Sequence, residues 1–310
     1  MTERRLKFVQ EHTQTHRIHD LEGVLMKAAV VAGEYIKDRA FDGYGTIFKQ
    51  DGSPVTDVDK GAEHIIRDIL KPEFACCGEE FGYAQDTTGL TAYIDPIDGT
   101  KDFIGKRFNT SVSIGIARGE KLVGGAVYDF MRDILYIGTE QTPTRMYHRL
   151  KAYPFKNGGP KRDIRKDFRV YIDGNDDAID AVRDAVNNHY GAKDIQKYGS
   201  IALTFAQAAA GDADIIAVPY KKAGLHDISA GIYLLQNAGF DMYNFEGRRF
   251  KWNAPPTGLI GFASHIGKDE QISFMRSLDK QIATDKQVGK GRLPYESIAA
   301  GYEAARSLEQ

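Results

Sequence analysis

Cysteine is scarce in this chain of 310 residues: Cys76 and Cys77 stand side by side and there is no third. Adjacent cysteines pair poorly with each other, so no disulfide framework can be built and a reducing cytoplasm is the simplest setting. Neither charge dominates. Lys and Arg number 41 against 43 Asp and Glu, a formal charge of -2, which gives no general attraction to nucleic acid or to an anionic membrane. Long apolar runs are missing as well; stretches such as Ile215–Pro219 fall far short of the roughly 20 residues of a membrane-spanning helix. The first residues, MTERRLKFVQEHTQTHRIHD, lack the apolar core of an export signal. What is present is a foldable composition, 42% hydrophobic with 16 Phe and 16 Tyr, which excludes a disordered chain. The length suits one large or two medium domains.

Periodicity divides the chain. From Leu21 to Ile36 apolar residues recur at helical spacing, and a Gly- and Asp-rich loop follows through Pro54. A second helix is expected behind a cap at Thr56 or Asp57, with Ala62, Ile65, Ile66, Ile69 and Leu70 facing inward and Pro72 closing it. Thr91–Asp95, Ser111–Ala117, Leu122–Asp129 and Ile134–Gly138 read as strands of an antiparallel meander. Residues 142–167 read as a basic loop. Beyond them strands and helices alternate: Phe168–Ile172, Asp176–Asn188, Ile195–Tyr198, Ile201–Ala210, Asp214–Val218 and Asp227–Ala238. That alternation predicts an α/β layer with a partly parallel sheet. Gly289–Pro294 reads as a linker into a last helix carrying Ile298, Tyr302 and Ala305. The expected domains are residues 1–150, 151–285 and a tail helix at 286–310.

The densest chemical signal is Ile94-Asp95-Pro96-Ile97-Asp98-Gly99-Thr100. Two carboxylates close together at a strand end repel each other, and a hard cation such as Mg²⁺ resolves that repulsion with oxygen ligands. Pro96 stiffens the turn and Gly99 lets backbone approach a ligand. Amides of Gly99 and Thr100 at a helix start would receive an anion. Metal and amide cradle together suggest a phosphate ester. Two more acidic groups lie upstream, Gly78-Glu79-Glu80 at another strand end and Val55-Thr56-Asp57-Val58-Asp59 at a helix head, where the dipole favours negative charge.

Together with Lys49-x-Asp51-Gly52-Ser53-Pro54 and His226-Asp227-Ile228-Ser229-Ala230-Gly231, these segments make the chain resemble the inositol monophosphatase superfamily over roughly residues 21–262. Gly199-Ser200-Ile201-Ala202-Leu203 and Ala209-Ala210-Gly211-Asp212-Ala213-Asp214 are similar to the stretch before that family's second signature. The resemblance implies a layered α-β-α-β-α sandwich of the inositol monophosphatase and fructose-1,6-bisphosphatase type, with the site between its two parts. It implies a homodimeric, Mg²⁺-dependent, Li⁺-inhibited phosphomonoesterase. Glu79, Asp95 and the Ile97 carbonyl would hold one Mg²⁺, and Asp95, Asp98 and Asp227 a second. A third would sit near Glu79 and the Lys49–Asp59 loop. Thr100, oriented by Asp59, would activate a water bound with Glu79. Gly99, Thr100, Ser200, Tyr220, Lys221, His226 and Asp227 would meet the substrate.

Departures from the pattern bear on specificity. His226 stands where the family has Trp, and either packs in place of that ring or touches substrate. Tyr220, followed by Lys221 and Lys222, replaces an inositol-binding acid. The leading substrate is an inositol monophosphate or related polyol or sugar phosphate. A 3′(2′),5′-bisphosphate nucleotide and histidinol phosphate are alternatives with the same chemistry. A regulatory binding protein on the same fold is the alternative of another class, and the intact acidic set argues against it. Other signals carry bland readings. His12, His16 and His19 sit at helical spacing in a polar context, and Lys161–Lys166 reads as a solvated face. Cys76 and Cys77 read as strand residues rather than nucleophiles, and Asn109-Thr110-Ser111 has no meaning as a glycosylation acceptor without secretion.

Overall fold

The computed structural model describes residues 20–42, 45–48, 54–71, 73–83, 89–149, 151–155, 169–172, 177–190, 194–196, 199–218, 223–254, 258–287 and 297–307. Its contacts divide the chain into two compact units. The first comprises Met1–Phe155, Tyr198–Ala206 and Gly224–Asn237; the second comprises the remainder.

The first unit is built on an eight-stranded sheet. The strands are β3 (Ala75–Gly78), β4 (Gly82–Tyr83), β5 (Thr91–Asp98), β6 (Ser111–Arg118), β7 (Lys121–Asp129), β8 (Ile134–Thr139), β9 (Thr142–His148) and β10 (Lys151–Pro154), in the order β10-β9-β8-β7-β6-β5-β3-β4. From β5 to β10 neighbours are antiparallel, the expected meander, while β3 runs parallel to β5. A short hairpin, β1 (Thr46–Phe48) with β2 (Pro54–Thr56), precedes it.

Strand alternation sends Val112, Ile114 and Ile116 to one face, where they join Leu25, Ala28, Ala32 and Ile36 of α1 (Leu21–Asp42) and Ala62 and Ile66 of α2 (Asp57–Leu70) in one core. The other face meets α6 (Leu225–Asn237), whose residues Ile228 to Leu235 are all buried. That helix lies so close that a Cβ on Gly115 would sit 2.2 Å from the Ser229 hydroxyl, and one on Gly125 2.7 Å from the Ala230 carbonyl. A sheet covered on both faces explains why its strands read as near-continuous apolar runs.

Of the stretch 142–167, residues 156–167 lie outside the described residues, and 142–148 and 151–154 are not loop, as their basic, polar composition suggested. They are β9 and β10, the edge hairpin of the meander, where Thr144 and Tyr147 are buried on β9 and all of β10 is exposed. Edge strands need little apolar surface, so the pattern there is faint.

The second unit carries a five-stranded sheet, ordered β12-β11-β13-β15-β14, from β11 (Arg169–Ile172), β12 (Asp194–Gln196), β13 (Ile215–Val218), β14 (Asp241–Tyr243) and β15 (Leu259–Phe262). The first three are parallel and the last two antiparallel, the partly parallel sheet expected. Among the described residues three α-helices accompany it: α4 (Asp177–Tyr190), α7 (Lys268–Gln287) and α8 (Ile298–Ser307). Val182, Ala185, Phe274, Leu278, Ile298 and Tyr302 from these helices join Ile215, Ile260 and Phe262 in its core. The tail helix is thus part of this unit rather than a separate piece. The helices α3 (Thr100–Ile104) and α5 (Ile201–Gln207) are short, and a π-turn, Ala208–Asp212, follows α5.

Candidate active site

Each proposed acidic residue stands at the end of an element. Asp59 lies in the first turn of α2, whose cap is Thr56: the Thr56 hydroxyl accepts from the Asp59 N–H (3.3 Å) while the Thr56 N–H donates to Asp59 Oδ2 (2.7 Å). This is a reciprocal capping box that holds the Asp59 side chain at the helix end. The Thr56 hydroxyl also touches Oδ2. Oδ1 is left facing the hydroxyl of Thr100, 3.4 Å away. Burial raises the Asp59 pKa and the nearby charge of Glu79 adds to this, against the Thr56 hydrogen bonds.

Asp95 and Asp98 end β5. Residues three apart on a regular strand point to opposite faces, but pairing with β6 shifts between Asp95 and Asp98, around Pro96, and the irregularity brings both to the same place. Gly99 then caps α3 with φ +90°. Only glycine takes this conformation readily, and a Cβ would lie 2.7 Å from the Asn109 carbonyl. The turn is tied internally: the Ile97 N–H donates to Asp95 Oδ1 (3.0 Å) and the Thr100 hydroxyl reaches the Ile97 carbonyl (3.0 Å).

Asp98 Oδ2 accepts from the Ser200 hydroxyl (2.6 Å) and the Ala202 N–H (2.7 Å), and Ser200 also contacts Ser111 (2.9 Å). The Ser200 side chain therefore orients Asp98. Asp227 lies in the first turn of α6, where Oδ2 accepts from the Gly224 N–H (2.6 Å). His226 is half-buried with Nε2 3.1 Å from Asp227 Oδ1, and its carbonyl accepts from the Ser113 hydroxyl (3.3 Å). Burial opposes a charge on that imidazole, yet Asp227, then Glu79 and Asp98, outweigh it and hold its pKa above the ordinary value.

Electrostatics draws the set together. Asp95 is buried, and burial followed by the like charges of Glu79, Asp98 and Asp227 pushes its pKa well above the carboxylate range. Among the described residues no three His, Cys, Asp or Glu side chains are gathered closely enough to hold a metal ion as they stand. The donor set nevertheless fits a hard divalent cation: it is all oxygen, and its like charges call for a positive partner.

Asp59, Glu79, Asp95, Ile97, Asp98, Gly99, Thr100, Ser200, His226 and Asp227 all belong to the first unit. Asp227 thus does not come from the second unit, as its place in the chain suggested, because α6 is bound to β5, β6 and β7 by the close packing at Gly115 and Gly125. Tyr220, Lys221, Lys222, Lys49 and Asp51 lie outside the described residues, as do His12, His16, His19 and Lys161–Lys166. Cys76 is buried and Cys77 half-buried, and burial raises both thiol pKa values, which leaves neither poised as a nucleophile. Two residues near Glu79 escaped the reading of the sequence. Glu63 and Arg67 form a buried ion pair on α2 beneath the Gly78–Gly82 turn.

The sequence profile of the inositol monophosphatase family matches residues 18–278. This chain belongs to that family. It is 28% identical over 251 residues to an inositol monophosphatase of Mesembryanthemum crystallinum, covering 75% of this chain and 88% of that protein. It is 27% identical over 241 residues to a fructose-1,6-bisphosphatase/inositol-1-monophosphatase of Aquifex aeolicus, covering 72% and 84%. The extragenic suppressor protein suhB of Bartonella henselae has a similar crystal structure, with TM-score 0.72 and 22% identity over 84% of this chain and 98% of the other. That likeness shows the mixed α/β fold. As a family member the chain is a phosphomonoesterase. No helix among the described residues is long and apolar enough to cross a membrane.

Proposed function

We propose that this phosphomonoesterase hydrolyses a small polyol or sugar phosphate, with inositol monophosphate the leading substrate, in a Mg²⁺-dependent and Li⁺-inhibited reaction. The observation that carries this reading is the Asp95–Thr100 turn, where two carboxylates, a hydroxyl and the glycine cap share one loop with Asp59 at hydrogen-bond reach of Thr100. The names of the Mesembryanthemum and Aquifex relatives, an inositol monophosphatase and a fructose-1,6-bisphosphatase/inositol-1-monophosphatase, agree with that substrate class.

Glu79, Asp95 and the Ile97 carbonyl would hold one Mg²⁺, and Asp95, Asp98 and Asp227 another. When bound, such a pair lowers the pKa of a water and offsets charge on the leaving oxygen. The remaining work belongs to the chain. The Thr100 hydroxyl accepts a hydrogen bond from the attacking water and donates its own proton toward Asp59 Oδ1, so that a proton leaving the water passes through Thr100 to Asp59. Burial makes Asp59 more basic than an exposed carboxylate, which suits it to receive that proton. The N–H groups of Gly99 and Thr100 face the phosphoryl oxygens as charge spreads over them. Ser200 serves through Asp98, which it holds in place, and His226 serves through Asp227.

The test is phosphate release from inositol 1-phosphate, fructose 1,6-bisphosphate, adenosine 3′,5′-bisphosphate and histidinol phosphate, with and without Mg²⁺. A preference of about a hundredfold in kcat/KM for the polyol or sugar esters, worth about 2.7 kcal/mol, is expected. Preference for the nucleotide or for histidinol phosphate would replace the substrate class. No release from any ester by folded protein in Mg²⁺ would overturn the reading. Asp98→Asn keeps an oxygen toward Ser200 and Ala202 but removes a charge. Its turnover should fall to background while its melting temperature stays close to that of the parent.

A further inference from the structure

Glu63 and Arg67 sit one helical turn apart on α2 and are both buried, at 0% and 7% exposure. The Arg67 Nε donates to Glu63 Oε1 at 2.7 Å. Neither group stops there. Glu63 accepts from the N–H of Glu80 (2.7 Å) and of Phe81 (3.3 Å). Arg67 donates to the Gly82 carbonyl (2.6 Å) and the Cys76 carbonyl (3.4 Å), and its guanidinium lies 5.9 Å from the centre of the Phe81 ring. A Cβ on Gly78 would fall 1.9 Å from Glu63 Oε1, so the carboxylate lies directly against the end of β3. The Glu79 N–H itself donates to the Ile94 carbonyl of β5 (3.1 Å).

A buried ion pair is weak evidence for stability, because well-packed apolar residues of the same volume often serve as well. This pair does something an apolar pair would not. It fixes the peptide groups on both sides of Glu79, from Cys76 to Gly82, with four directed hydrogen bonds, two of them at 2.7 Å or less. Charge-assisted bonds of that kind are the strong ones, and the forked guanidinium reaches two carbonyls at once, as a lysine would not.

We propose that the Glu63–Arg67 pair is a positioning device that sets the Glu79 carboxylate for metal binding; this rests on the reading of Glu79 as a metal ligand. Neither residue touches substrate or reacting atoms. Their effect passes through the backbone of the Gly78–Gly82 turn.

The decisive experiment compares the parent with Arg67→Lys and Glu63→Gln. Arg67→Lys keeps the charge and loses the fork; Glu63→Gln keeps the shape and loses the charge. Two titrations with Mg²⁺ are made on each protein: the rise in melting temperature without substrate, and the initial rate of phosphate release. Circular dichroism reports the fold. The expected result is a Mg²⁺ half-saturation raised about tenfold or more in both titrations, the size typical of groups that orient metal ligands. Rates should largely recover at saturating Mg²⁺, with substrate KM unchanged. Folded variants whose Mg²⁺ half-saturation equals the parent's would overturn the inference alone. A parent whose melting temperature and activity both ignore Mg²⁺ would overturn the metal reading and this inference with it. If Glu63→Gln fails to fold, Arg67→Lys decides by the same criteria.

Discussion

Thr56 does two jobs with one side chain. Its hydroxyl caps α2, and with its N–H it holds Asp59 so that the far carboxylate oxygen faces Thr100. Thr56→Ala should therefore cost about 1 kcal/mol of stability, the usual value of a lost cap, seen as a lower urea midpoint. It should also cost far more in turnover than in stability, of the order of a hundredfold in kcat, because a catalytic group out of position by an ångström loses that much. A variant that loses the stability and keeps its kcat would separate Asp59 from the chemistry. Much of this was legible from residue types alone. The cap, the carboxylates at strand ends and the glycine after them are signals with local causes. What was not legible is how those residues are held. The Ser200–Asp98 bond joins residues 102 apart in sequence, and the Glu63–Arg67 clamp looks on paper like an ordinary exposed i, i+4 pair.

Elements were legible in proportion to their burial. The strands β5 to β8 and the helices α1, α2 and α6 fill the core of the first unit, so their patterns are strong. The edge hairpin β9–β10 was hidden, since an edge strand exposes most of its side chains. The stretch that forms β14, β15 and α7 was passed over: the strands are three and four residues long, and α7 places its apolar residues sparsely among charged ones. The packing of α6 yields a test at this scale. A methyl group at position 115 has no room beside Ser229, so Gly115→Ala should lower stability by about 1–3 kcal/mol through overpacking. Gly119→Ala offers a control, since its position meets nothing within 4 Å but carries φ +57°. It should show only the cost of a strained turn, on the order of 1 kcal/mol. Equal losses by thermal unfolding would deny that α6 is pressed into the sheet.

The molecule as a whole should answer to pH through groups outside the acidic cluster. In the second unit, burial raises the carboxyl pKa of Asp241, but hydrogen bonds from Lys268, Gln271 and Arg249 more than offset this and hold it below the ordinary value. A carboxylate with a depressed folded pKa adds stability above its unfolded pKa of about 4 and loses it as pH falls through the folded value. Asp241→Asn should thus lower the melting temperature at pH 7. The gap to the parent should close as the pH is taken below about 4, and a constant gap would assign the loss to shape rather than charge.

The path of the backbone has a consequence in time. The chain leaves the first unit after Phe155, returns for Tyr198–Ala206, leaves again, and comes back for Gly224–Asn237 before departing for good. A ribosome delivers residues strictly in order. The whole eight-stranded sheet has therefore emerged some eighty residues before α6, the helix that covers one of its apolar faces. During that interval the nascent protein exposes the surface around Gly115 and Gly125 with nothing of its own to put there. A chain stopped at Phe155 is expected to sediment rather than stay in solution, and synthesis of the intact protein should lean on chaperones until residue 237 is out.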